Sequence, residues 1–263
     1  MLHLIGKDIL TTHTVYWPTM LAAAGLTAPK RVFAHGWWTI EGKKMSNSLQ
    51  NVVEPNRLID TYGVDAVRYF LMREVPFGID GDFSHSAMVH RINSDLANDL
   101  GNLFSRTLSM VIRYFDGIIP TPAALQEIDQ KLREVPEKAL PQLSQQMEDL
   151  AFNKALASIW EIVGASNKYI DETAPWALAK EEKDRPRLAT VLYNGLESLR
   201  IIALLLAAFM PGTSEKMWSQ LGMEANLWEQ DLEEAGKWGG LKPGKRLLKP
   251  ILLFPRIDTS KLG

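Results

Sequence analysis

The sequence predicts a mainly α fold that opens with a partial α/β (Rossmann-like) unit, and three observations carry that expectation. Two short apolar runs, His3–Ile5 and Arg31–His35, flank helical periodicity over residues 8–24. That is the strand–helix–strand order of a parallel sheet. From about residue 85 to 221 the apolar positions recur at helical spacing. Proline and glycine, as in Pro120-Thr121-Pro122 and Pro211-Gly212, cut that second region into helix-length pieces.

The first strand is expected to be short and buried, ending at Gly6. The helix after it stops at Gly25, with Pro18 kinking or breaking it. Trp37 to Ile40 continues from the second strand into a turn at Glu41-Gly42. Two short helices follow, Pro55 to Tyr62 and Val64 to Arg73, parted by Gly63. Pro76 to Ser84, with Gly78, Asp80, Gly81 and Asp82, reads as a turn-rich boundary. Helices are then predicted near 85–115, 126–149, 151–170, 174–181, 186–209 and 212–221. Pro136 and Pro141 leave the second of these open. In the tail, turns at Gly239-Gly240 and Pro243-Gly244 precede a basic run, Lys242, Lys245, Arg246 and Lys249, and an apolar segment, Ile251 to Phe254. The division is therefore 1–82, 83–237 and 238–263. Residues 1–82 carry only two good strands, and a parallel sheet needs both faces covered, so further strands are expected N-terminal to Met1.

Composition narrows the function classes. The chain has 263 residues, 46% hydrophobic and 23% charged, as a soluble globular protein does. A net charge of −2 gives no global signature of nucleic-acid binding, so any RNA contact must rest on a local patch. The absence of cysteine excludes disulfides and thiolate zinc sites within these residues and fits the cytoplasm. The five histidines lack metal-ligand spacing, so no metal site is expected. No signal peptide is visible. The apolar run Ile201 to Met210 is too short to cross a bilayer and reads as a core helix, with no membrane partner.

Glu41-Gly42-Lys43-Lys44-Met45-Ser46-Asn47-Ser48 is a short cationic loop whose ammonium and hydroxyl groups can close over a polyphosphate. Gly6 and Asp8 stand at the carboxyl end of a strand, where open α/β sheets bind ligands. A tight turn with an N-cap aspartate describes them equally well. His13, Tyr16 and Trp17 share adjoining faces of one helix and could wall a pocket or pack a core. Asn98, Asn102 and Arg106, at i, i+4 and i+8, form one polar line able to read an unstacked base, or simply a solvated face bonded to a neighbouring helix. Asp171 or Thr173 could cap a short helix carrying Pro175 and Trp176, and Trp176 would then offer a stacking face or join the core.

Together, Gly6-Lys7-Asp8 through Tyr16-Trp17-Pro18, the Lys-Met-Ser-x-Ser form at 44–48, Asn-Leu-x-x-Arg at 102–106 and Ala-Pro-Trp at 174–176 resemble the methionyl-tRNA synthetases, a family of class I aminoacyl-tRNA synthetases. The resemblance covers nearly the whole chain. It implies a partial catalytic domain followed by an α-helical bundle that binds the anticodon, with the tail packing back toward the catalytic part. Gly6, Asp8 and Lys44 would bind ATP, and Lys44, Ser46, Asn47 and Ser48 would form the catalytic loop. Ile9, His13, Tyr16 and Trp17 would enclose methionine, whose polarizable sulfur favours aromatic walls. Asn98, Asn102, Arg106 and Trp176 would read the CAU anticodon of methionine tRNA. ATP with Mg2+ is the implied substrate of the complete enzyme. Two departures stand out. Asn47 occupies the second lysine position of the loop, and the family's His-x-Gly-His is absent. The chain is therefore expected to bind the anticodon without aminoacylating. A stand-alone tRNA- or protein-binding module is the alternative.

Overall fold

β1 (Leu2–Gly6) and β2 (Arg31–His35) pair in parallel, from Leu2 opposite Arg31 to Gly6 opposite His35. The computed structural model describes residues 1–40, 42–45 and 51–258. The connection between these strands is a single turn of 3-10 helix at Lys7–Ile9, a π-helical turn at Thr12–Tyr16 and α1 (Trp17–Ala23). Pro18 lies in the first turn of α1, where a missing N–H costs little, and the wide π turn just before it takes the place of the expected kink. The first strand is not buried as expected: Ile5 alone is enclosed, while Leu2 and Leu4 face solvent. Among the described residues β1 and β2 form a two-stranded sheet of their own, which is too narrow to enclose both faces.

A second, unforeseen sheet follows in the order β4-β3-β5. β3 (Trp38–Ile40) runs antiparallel to β4 (Lys43–Lys44) and parallel to β5 (Gly81–Phe83). The turn-rich stretch 76–84 thus contains a strand. Gly81 belongs there because a Cβ would sit 3.1 Å from the Trp38 ring and closer still to Val75. α2 (Pro55–Tyr62) and α3 (Val64–Glu74) flank Gly63, whose φ of 83° lies in the left-handed region.

α4 (His85–Arg91), a π-helical segment at Ile92–Gly101 and α5 (Asn102–Phe115) make one continuous helix. α6 (Glu127–Glu148) runs unbroken through Pro136 and Pro141. α7 (Phe152–Thr173) and α8 (Pro175–Leu178) meet at Ala174. Then come α9 (Arg185–Leu206), α10 (Pro211–Gln220) and α11 (Leu232–Ala235). Every residue from Leu188 to Leu206 is buried, so α9 is the axis of the bundle. The apolar run beginning at Ile201 is its last part. The stretch Glu182–Leu206 is long and apolar enough to cross a membrane, yet its apolar window is wholly enclosed by the protein.

One apolar cluster extends from Leu58 in α2 to Leu253 and Phe254 in the tail. Two buried ionic groups organise it. Asp129 accepts from Tyr169, Arg187, Asn194 (3.2 Å) and the Gln126 N–H (2.7 Å), joining α6, α7 and α9. Glu197 of α9 pairs with Arg200 (2.7 Å) and accepts from the backbone N–H groups of Gly239, Gly240 and Leu241 (2.8, 2.9 and 2.9 Å). Farther along, the tail backbone bonds to Gly117 and Ile119, and Asn93 closes a two-way hydrogen bond with the Ile257 backbone (2.8 and 2.9 Å).

Candidate functional sites

The parallel register sets Gly6 and His35 level at the carboxyl edge of the small sheet. A Cβ on Gly6 would lie 2.5 Å from Asp8 Oδ1 and 4.0 Å from His35 Cε1. Asp8 is exposed and caps nothing: the 3-10 turn has no side-chain cap, and the carboxylate has no hydrogen bond among the described residues. The tight turn is thus made without Asp8 as its cap, and the carboxylate oxygens are left unbonded among the described residues. Nothing local in the sequence marks His35. Only the pairing of β1 with β2 brings it beside Gly6, with Nδ1 on the Gly36 carbonyl (2.9 Å) and the ring stacked near Phe77.

Lys44 lies on β4, and its Nζ stands 5.2 Å from the centroid of the Trp37 ring. Lys7 Nζ approaches the same ring at 4.3 Å and also pairs with Asp80 at 2.6 Å. Asp80 accepts the Trp37 backbone N–H (2.8 Å) as well; the Lys7 ammonium first, and this N–H second, hold its carboxyl below the usual range. Asp82, on β5, accepts from the Thr39 hydroxyl (2.6 Å) and the Gly42 N–H (2.9 Å), two bonds that depress its pKa in the same way. The two aspartates thereby fasten both ends of the segment that presents Lys44. Ser46, Asn47 and Ser48 lie outside the described residues.

Ile9, Tyr16 and Trp17 are exposed on the crossover, and half-buried His13 places Nδ1 3.1 Å from the Ile9 carbonyl. Trp17 is thus no core residue in this chain. The π turn also widens the helical period, so the spacing of His13, Tyr16 and Trp17 is not that of the α-helix assumed from sequence.

On the long helix, Asn98 and Asn102 are exposed, and neither amide has a hydrogen bond among the described residues. Arg106 is held: Nη1 bonds Asp171 Oδ1 (2.7 Å), and Nη2 bonds Asn167 Oδ1 (2.9 Å) and the Asn167 carbonyl (3.1 Å). Asn98 lies in the π-helical segment and Asn102 opens α5, so the line of three crosses a change in helical pitch. Neither expected cap of α8 is made. Asp171 is engaged by Arg106, and the Thr173 hydroxyl turns back to the Tyr169 carbonyl (2.6 Å). Ala174 makes the turn itself, with φ of 42°, burying Pro175 and leaving Trp176 47% exposed. The core alternative for Trp176 is excluded.

The two regions touch through α3. Tyr69 donates to Asp95 (2.8 Å) in the π-helical segment, and Arg91 joins Asp95 (3.2 Å) to Glu74 (2.8 Å). Burial, then the Asp95 charge, raises the Tyr69 pKa far above the ordinary phenol value, so the hydroxyl stays a donor. Among the described residues no three His, Cys, Asp or Glu side chains gather as a metal site.

A lysine-bearing hairpin beside the carboxyl edge of parallel strands, joined to a helical bundle, is the arrangement of a class I aminoacyl-tRNA synthetase. Residues 1–108 match the family model for class I tRNA synthetases (M), and residues 119–262 match that for the anticodon binding domain of methionyl tRNA ligase. The chain belongs to the methionyl-tRNA synthetase family. It is 54% identical over 261 residues to the methionine–tRNA ligase of Caldanaerobacter subterraneus subsp. tengcongensis and 48% identical over 261 residues to that of Bacillus subtilis. Each alignment covers 98% of this chain, but only 40% and 39% of those proteins. Mycobacterium tuberculosis methionyl-tRNA synthetase in complex with methionyl-adenylate superposes with a TM-score of 0.92 at 44% identity, over 97% of this chain and 50% of that one.

Proposed function

We propose that this chain is the C-terminal portion of a methionine–tRNA ligase, with part of the catalytic site in residues 1–82, an anticodon-binding bundle in 83–237 and a returning tail in 238–263. The observation that carries the reading is the pair of unpartnered amides, Asn98 and Asn102, in line with the anchored Arg106 and accompanied by exposed Trp176. Amides offer both donors and acceptors to a base edge, and an indole gives a stacking face of about 1–3 kcal/mol per base. The RNA they suit is the CAU anticodon loop of methionine tRNA.

In the complete enzyme the methionine carboxylate attacks the α-phosphate of ATP and pyrophosphate leaves. A terminal tRNA hydroxyl then takes the methionyl group and AMP leaves. Gly6 and Asp8 would receive the ribose, and Ile9, His13, Tyr16 and Trp17 the methionine side chain. Lys44 with Ser46, Asn47 and Ser48 would face the phosphates, with Mg2+ accompanying ATP as substrate. Loop cations act where charge grows in the transition state, so an uncharged Asn47 should slow adenylate formation roughly a hundredfold. Restoring lysine in a full-length enzyme should recover it; unchanged adenylate formation in N47K would refute that role. By itself the chain should bind RNA in the cytoplasm without aminoacylating.

The test is titration with anticodon stem–loops carrying CAU or single-base variants, at two salt concentrations. Preference for CAU that is lost in Asn102→Ala and Trp176→Ala supports the reading. Equal binding to every loop, or none, refutes it. Asn47 also suits a stand-alone tRNA- or protein-binding module, in which the loop need not stabilise phosphate charge. In that case N47K would leave binding of the RNA or protein partner unchanged.

A further inference from the structure

Two ammonium groups meet on one indole face or its edges, and only one of them belongs to the signature loop. Lys7 Nζ and Lys44 Nζ stand 4.3 and 5.2 Å from the Trp37 centroid. Their separation therefore cannot exceed the sum of those distances, which an extended triphosphate can bridge. Lys7 comes from the turn after β1 and Lys44 from β4, elements joined neither by a common sheet nor by sequence proximity. In water two exposed ammonium groups at this range repel only weakly, and two neighbours favour holding them there. Trp37 offers its ring quadrupole to both, and Asp80 neutralises one. Asp80 also fixes the Trp37 backbone. The result is a cation pair whose second member is screened by a carboxylate that a polyanion can displace.

We propose that Lys7 is a second polyphosphate-binding residue and that Trp37 positions it against Lys44. The inference rests on the polyphosphate reading of the 43–48 loop and deepens it. Lys7 stands between Gly6 and Asp8, so its ammonium enters the site from the strand side, opposite in chain origin to the loop. Asp80 acts as a gate: Lys7 exchanges one carboxylate for phosphate oxygens when the polyanion arrives, with no net burial of charge.

Inorganic tripolyphosphate is the probe, titrated calorimetrically into this chain and its variants at low salt. Lys7→Ala and Lys44→Ala should each weaken binding roughly tenfold, the worth of one charge-assisted contact. Trp37→Leu should weaken it as much as either lysine variant, and Trp37→Phe should restore it. Asp80→Asn keeps the acceptor for the Trp37 N–H and frees Lys7, so it should bind more tightly, a direction no general loss of structure produces. If Lys44→Ala weakens binding while Lys7→Ala and Asp80→Asn match the parent, the inference falls and the loop reading stands. If the parent chain binds no tripolyphosphate, both fall. Anticodon stem–loop binding, measured on the same variants, should not change, which separates these outcomes from failure of RNA recognition.

Discussion

Asp129 has no exposed surface and four groups donating to it, so it shows what one carboxylate can decide. Burial works to raise its pKa, but the bonds from Arg187, Tyr169 and the Gln126 N–H outweigh burial and hold it below the ordinary value. Tyr169 moves the other way, its pKa raised first by its own burial and then by the hydrogen bond to Asp129. A depressed carboxylate adds stability that is complete above its unfolded pKa of about 3.9 and disappears as pH falls through the lower folded value. Urea unfolding of the parent should therefore lose stability below about pH 4, and Asp129→Asn should flatten that limb. Asp129→Ala strands Arg187, which is 15% exposed, and should cost about 3–5 kcal/mol. None of this is visible in the sequence, where Asp129 is one acid among many; its side-chain partners lie 40, 58 and 65 residues away.

The elements were legible where local chemistry sets them and obscure where distant pairing does. Gly63, Pro55, Pro175 and Pro211 mark helix ends by their own φ preferences, so the boundaries near them follow from sequence. β5 has only three residues, two of which are glycine and aspartate, and it becomes a strand by pairing with β3 about forty residues earlier. Periodicity likewise cannot separate a π turn from an α turn over so few residues, so the pitch change through Asn98 went unseen. Of the candidate site, residue types such as Lys44, Asn102 and Trp176 could be read directly. His35 and the Lys7–Trp37–Asp80 arrangement required the fold. At this scale Ala174 offers a direct check. An L-residue in the left-handed region costs roughly 1–2 kcal/mol, so Ala174→Gly should raise stability by up to about 1 kcal/mol after glycine's larger unfolded-state entropy is counted. Thermal unfolding measures it, and a lower melting temperature would contradict the strain. Asp82→Ala should speed amide hydrogen exchange at Gly42 without shifting global unfolding, because both of its bonds lie within the hairpin mount.

For the whole molecule, the tail is fastened by α9 itself. Glu197 is fully buried, and its oxygens take three consecutive backbone N–H groups of the tail as well as Arg200. Nearby, burial pushes the Tyr193 pKa up to about 12, and its hydroxyl bonds the Leu241 carbonyl (2.9 Å). Glu197→Ala should leave Arg200 uncompensated, cost about 3–5 kcal/mol and open the chain after Lys237 to limited proteolysis. A variant that resists protease as the parent does would show that the apolar contacts of Leu247, Leu253 and Phe254 hold the tail alone.

The narrow sheet at the start of the chain has a colloidal consequence. Among the described residues β1 has a neighbour on one side only, and exposed Leu2 and Leu4 stand out from it. A free strand edge next to an oily surface is a template for another copy. Sedimentation of the purified chain should show weight-average mass rising with concentration, and Leu4→Lys should suppress that rise by adding charge at the edge. The open edge of so narrow a sheet is thus what limits how concentrated this chain can be kept.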